Sequence, residues 1–203
     1  MIEGITIALQ SYYDTASGAK DILESAVAQI KNNYIGAMLA EKMKEAQEIY
    51  NNTLAESRTA NFNACVQILD EVANQAKKVV ENPVPSDFIS TLEAIKQMDE
   101  PTKAEIETVV GAYKNNYFAY RAICDFLKIS PKPVTIDDIV ADLGSIRNDL
   151  HQCFYSDNIE GYHFRNMKDG TILSSYDEVF KAFIDGRFED AVKPDADDTV
   201  NDN

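Results

Sequence analysis

Tryptophan is absent, and cysteine (3), histidine (2), proline (6) and glycine (8) are all scarce in this chain of 203 residues. Each shortage excludes something. Cys65, Cys124 and Cys153 are widely spaced and odd in number, which does not suit a disulfide framework; a reducing compartment is the simpler expectation. Two histidines, with no CxxC or HxxxH spacing, do not make the four-ligand set that zinc needs. His151 and Cys153 stand two apart, and residues at that spacing point to different faces of a helix, so neither a metal pair nor a Cys–His nucleophile pair is expected. Glycine-rich phosphate loops of the GxGxxG or GxxxxGK[ST] type are missing. The expectation is a protein without catalytic, cofactor-binding or metal-binding residues.

Positive charge is also in short supply. Lys and Arg number 19 against 34 Asp and Glu, a net charge of −15, so there is no broad basic footprint for direct nucleic-acid binding. Long apolar runs are missing too. None approaches the roughly 20 residues of a membrane span, and the first ten residues have no basic segment of the kind that opens a secretory signal. A cytoplasmic location is expected. The acidity is concentrated at one end. Residues 188–203 carry one basic and six acidic groups, net −5, with Pro194 and few large apolar residues, which predicts an unstructured acidic tail.

What is abundant is Ala, Glu, Lys, Gln, Leu and Ile, the residues that favour helices. Proline lacks the amide donor and clashes with a helix interior, so Pro83, Pro85, Pro101, Pro131 and Pro133 mark breaks. Ile22, Ala26 and Ile30, widened by Leu23 and Val27, predict a first helix over roughly 3–31, with Gly18 a point of weakness. Residues 34–81 contain no proline, and their one glycine, Gly36, lies near the start. Leu39, Met43, Ala46, Tyr50 and Thr53 form one heptad stripe; Phe62, Cys65, Leu69, Val72, Ala76 and Val79 form a second in another phase. A single helix over this stretch would be about 70 Å long. The polar middle, 51–61, is read either as a solvated waist or as a break into a hairpin; the lack of Gly and Pro there favours continuity.

Further along, Ser86 is a candidate N-cap for a helix carrying Phe88, Ile89, Leu92 and Ile95 and ending near Asp99. Thr102 with Glu105 has the form of a capping box, and Thr135 before Ile136, Asp137 and Asp138 is a second helix start. Gly111 or Asn115-Asn116 separates a helix with Ile106, Val109, Val110 and Tyr113 from one spanning Tyr117 to Leu127. Asp137, Asp138, Asp142 and Asp149 read as a solvated charged face. Asp169-Gly170 is a hairpin signal, so one short β-hairpin is allowed near 160–173. A last helix, about 174–186, ends at Gly186.

Val84-Pro85-Ser86-Asp87-Phe88, then Leu92-Glu93-Ala94-Ile95 and Tyr113-Lys114-Asn115-Asn116-Tyr117, preceded by Ala46-Gln47-Glu48-Ile49-Tyr50 and Glu56-Ser57-Arg58, resemble small helical proteins of tailed bacteriophages and prophages. The likeness covers about residues 40–125. It implies a virion-associated or assembly-related role and no catalytic residues. Scaffolding proteins of such viruses end in a basic helical segment; this chain ends acidic and departs from that pattern.

The resulting expectation is an all-α fold: a long helical hairpin or coiled coil over 1–82, a compact helical domain over 83–187, and the acidic tail over 188–203. The expected function is non-enzymatic, a structural or assembly-interaction protein that binds itself or a protein partner. The second heptad stripe, Phe62, Cys65, Leu69, Val72, Ala76 and Val79, is the expected interface. The alternative is an acidic regulatory binder, an inhibitor or nucleic-acid mimic, that occupies a basic groove of a host protein.

Overall fold

The structure, a computed structural model, describes residues 1–98, 100–129, 132–156, 159 and 161–192. Among them are eight helices and no strand: α1 (Ile2–Asn33), α2 (Gly36–Val80), α3 (Phe88–Lys96), α4 (Lys103–Tyr113), α5 (Tyr117–Leu127), α6 (Ile136–Tyr155), α7 (Tyr162–Lys168) and α8 (Ser174–Ile184). Gly18 does not interrupt α1, and α2 runs unbroken through the polar waist at 51–61. The two stripes of α2 are therefore two faces of one helix, the first half-buried and the second carrying the buried Cys65, Leu69 and Ala76.

The chain forms two compact units, one made of 1–70 with 145–174 and the other of 71–144 with 175–203. This division does not follow the prolines. The 82/83 boundary expected from them falls inside the second unit, and α2 and α6 each supply residues to both units.

In the first unit α1 and α2 form an antiparallel hairpin. Gly4 faces Ile68, whose Cδ1 lies 2.6 Å from where a Cβ would stand, and farther along Ala26 and Ala46 border one cavity. The pairing numbers sum to a constant, as two helices folded back about residues 34–36 require. Tyr34 closes α1 in extended conformation, donating its amide to the Ile30 carbonyl (3.0 Å). Gly36 takes a φ of +59°, a left-handed geometry that glycine adopts without strain. The core lies toward the open end of the hairpin. Tyr12 meets Phe154 (5.2 Å between ring centroids) and Phe164 (6.4 Å), and Phe62 meets Phe154 (5.9 Å). These separations suit the tilted and edge-to-face contacts that aromatic rings prefer. Lys168 adds a hydrogen bond to Gln10 (2.9 Å), fixing α7 along α1.

The β-hairpin allowed near 160–173 is not what forms. Tyr162–Lys168 is helical, and Phe164 and Met167, three residues apart, are both buried. Asp169-Gly170 terminates this helix instead: the Gly170 amide donates to the Met167 carbonyl (3.2 Å) at a φ of +77°. The same dipeptide serves a tight strand turn and a helix stop, because both need a left-handed residue.

In the second unit Phe88, Tyr113, Ala119 and Ile123 form a buried cluster, and Tyr117 gathers Phe183 (5.4 Å) and Phe188 (5.7 Å). The helix starts follow side-chain chemistry. Thr102 and Glu105 make the expected capping box, the Thr102 amide donating to Glu105 Oε2 (2.8 Å) and the Glu105 amide to Thr102 Oγ1 (3.4 Å). Thr135 and Asp138 reciprocate in the same way at 2.8 and 3.0 Å. Asn116 caps α5 by accepting from the Ala119 amide (3.1 Å), while Gly111 stays inside α4. The start of α3 differs from expectation: the cap is Asp87, not Ser86, because a turn from the Pro85 carbonyl to the Phe88 amide (3.0 Å) occupies Ser86 first. This helix ends at Lys96, and Asp99 lies outside the described residues.

The acidic C-terminal segment starts later than 188. Phe188 and Ala191 are buried, and the Val134 amide donates to the Ala191 carbonyl (2.7 Å). The remainder of the expected tail, 193–203, lies outside the described residues.

Candidate functional site

The second heptad stripe is turned inward. Cys65, Leu69 and Ala76 are buried, and Phe62, Val72 and Val79 are partly so. Phe62 is surrounded by His151 (5.7 Å), Phe154 (5.9 Å) and Tyr155 (5.8 Å). These are the six residues expected to form an intermolecular interface, and in this chain each is at least partly covered by the protein's own residues. Their apolar face is satisfied within the chain, and presenting it to a partner would require opening the core. A heptad stripe specifies a buried helix face without saying whose residues bury it.

The unsatisfied apolar surface lies elsewhere on the same hairpin. Between Ala19 and Cys65 no residue is fully buried. Over this length residues of both helices line one cavity, and most side chains stay partly or fully exposed. Ile22 is 70% exposed and Ile49 65%. Both border an apolar groove of about 360 Å³, whose floor includes Gly18, Ala19, Ala46 and Tyr50. The small residues make the groove: a Cβ added at Gly18 would meet nothing within 4 Å. At the closed end of the hairpin Ile35 is 88% and Met38 57% exposed. Contiguous apolar surface of this kind marks an interaction site more often than chance exposure does.

The charge around the groove is balanced. Residues 17–50 carry four basic and five acidic groups, net −1, in a chain whose total is −15. Lys42 pairs with Glu45 (2.6 Å) and Lys44 with Glu48 (3.6 Å) along the exposed side of α2. Hydrogen bonding to Glu45 raises the Lys42 ammonium above its ordinary pKa.

Sequence reasoning identified Ile22 as part of a helical stripe but gave no sign that its side would be open. Ile49 lies one residue off the first stripe, beside Tyr50. An apolar residue just outside a heptad seam is the signal that a second face needs cover.

The residues weighed for catalysis are placed as follows. His151 stacks on Tyr155 (4.4 Å, 14° between planes), while Cys153 is buried on another side of α6. His163 Nε2 lies 3.8 Å from Asp149 Oδ1. Asp138 is engaged in the Thr135 cap. Among the described residues no group of three or more His, Cys, Asp and Glu is gathered so as to hold a metal ion, and no helix is long and apolar enough to cross a membrane.

No protein-family model, curated protein or solved structure matches the chain.

Proposed function

We propose that this is a non-enzymatic interaction protein whose α1–α2 hairpin pairs with the hairpin of a second copy, giving a four-helix arrangement. The observation that carries the reading is the exposed apolar groove with Ile22 and Ile49 on its rim. Two helices alone cannot bury their apolar sides. Two hairpins together are the smallest arrangement of identical copies in which every helix gains two neighbours, as in four-helix bundles. A second copy is favoured as occupant because the surface around the groove is near neutral, so the large negative charge of the chain does not oppose contact there. The resemblance of residues 40–125 to small helical phage and prophage proteins sets this self-association in virion assembly.

Light scattering coupled to size exclusion tests it. The protein at tens of micromolar is expected to elute as a dimer. Ile22→Glu with Ile49→Glu is expected to convert it to a monomer of unchanged helicity, since both positions are exposed and surface substitutions disturb folding by only about 0.5 kcal/mol. A monomeric wild-type protein at that concentration, or a dimer that survives both substitutions, would overturn the proposal.

A further inference from the structure

The exposed apolar residues of the α1–α2 hairpin have a symmetry of their own. Along α1 and the turn after it the large ones are Ile7, 60% exposed, then Ile22 and Ile35. Ile7 and Ile35 stand 15 and 13 residues from Ile22, about 20 Å away on either side at 1.5 Å per residue. Ile7 and Ile22 lie within about 60° of each other around the helix, so they share a side. Across the groove Tyr50 stands level with Ile22, by the same pairing that sets Gly4 against Ile68. One side of α2, within about 40° around its axis, carries Met38, Lys42, Ile49, Glu56 and Ala60. Lys42 is half-buried and the other four are exposed. Glu56 has no ion-pair partner among the described residues.

On the reading that two hairpins pair, we infer that they pair antiparallel, about a two-fold axis that passes beside Ile22 and Tyr50. In a two-fold interface, if residue i meets residue j then j meets i, so the middle of the groove sits on the axis. Ile22 meets Ile22 of the second copy, and Tyr50 meets Tyr50. Gly18, one turn from Ile22, leaves open space beside this contact. Counting outward, Ile7 falls within two residues of Ile35 of the second copy, Met38 within two of Ala60, and Lys42 within two of Glu56. Lys42 already donates to Glu45, but an ammonium has three donors and can hold both carboxylates. A parallel pairing sets equal levels together. It would place Ile7 beside the exposed, polar Asn63 and Gln67 of the second copy, and Lys42 about 20 Å from Glu56. Only the antiparallel register covers the outlying apolar residues and gives Glu56 a cation, and charge pairing of this kind fixes register.

The test is chemical cross-linking of the full-length protein. Ser11 and Asn33 are exposed, polar and 11 residues on either side of Ile22. In this register Ser11 of one copy meets Asn33 of the other, while like residues stand about 33 Å apart. Ser11→Cys and Asn33→Cys, mixed and treated with a short bismaleimide, are expected to give a mixed dimer identified by mass, and neither variant alone should link. The native cysteines are buried, so wild-type protein is the blank. Glu56→Lys gives a second readout. It makes each copy less negative, so general repulsion alone predicts a tighter dimer; loss of the contact with Lys42 predicts a dimer weakened about threefold or more and partly restored by adding Lys42→Glu. Self-linking of Asn33→Cys, absence of the mixed product, or a tighter Glu56→Lys dimer would overturn the antiparallel register. Light scattering separates that failure from failure of the pairing itself. A dimer with the wrong links keeps the pairing and loses the register, whereas a monomer removes both.

Discussion

Cys65 and Cys153 are among the most completely buried residues, and burial pushes both thiols up to about 12 from an ordinary value near 9. The thiolate loses its hydration in the interior, and each thiol is raised further by a neighbouring group, Cys65 by Cys153 and Cys153 by Asp149. Both are therefore neutral and inert at physiological pH. The linkage has a definite sign. A folded-state pKa above the unfolded one means that the native protein holds its proton longer. The thiols' contribution to stability is complete below the unfolded pKa and fades as pH rises toward 12. The midpoint of urea unfolding is expected to fall between about pH 8 and about pH 11, and a Cys65→Ala, Cys153→Ala variant should lose less over the same interval. In native protein at neutral pH, Ellman's reagent is expected to find almost no reactive thiol, and all three after unfolding, since Cys124 is buried and raised as well. Rapid labelling of the native protein would contradict this placement.

Among the helices, what the chain's residues announce and what they conceal can be separated physically. Short-range chemistry is legible. Thr102 with Glu105, Thr135, Asn116 and Gly186 each satisfy or end a helix through groups within a few residues, and each does so where expected. Anything that depends on a distant neighbour is not. Asp169-Gly170 reads equally as a strand turn or a helix stop, and Phe164 and Met167 decide between them by packing inward. The stripe of Phe62 and Cys65 was legible as a buried face, yet its partner, α6, comes from almost a hundred residues away. The open groove at Ile22 and Ile49 was illegible for the same reason: exposure is decided by which elements fail to arrive. One helix end shows the limit in miniature. α5 stops at Lys128 in the left-handed conformation, φ +54°, the only non-glycine with positive φ among the described residues. Lysine there gives no sequence signal, because the geometry is imposed by the Ile129 amide returning to the Cys124 carbonyl (3.0 Å). The strain of a left-handed L-residue is about 1–2 kcal/mol, and the extra unfolded-state freedom of glycine offsets about half of it. Lys128→Gly is thus expected to stabilise the protein by about 0.5–1 kcal/mol, measured as a higher urea midpoint with unchanged slope. A loss of stability would show that the lysine side chain contributes contacts that outweigh its backbone strain.

For the molecule as a whole, charge and apolar surface make opposite demands, and salt separates them. Two copies at net −15 repel one another in dilute salt, where the Debye length is about 30 Å at 0.01 M, and much less at 0.5 M, where it falls to a few Å. If near-neutral apolar hairpin faces hold the dimer, screening removes the global repulsion and leaves the attraction untouched. Sedimentation velocity across a sodium chloride series is then expected to show a dimer that tightens a few-fold from about 0.05 to about 0.5 M and does not dissociate. The competing reading, an acidic binder seated in a basic groove of another protein, makes the contrary demand. Its affinity would come from the −15 charge itself and would collapse over the same range. A dimer that weakens steeply with salt would mean that charged contacts, not the groove at Ile22 and Ile49, hold the copies together. The Glu substitutions at those positions would then change the salt dependence without abolishing association, which makes the two origins distinguishable in one set of runs.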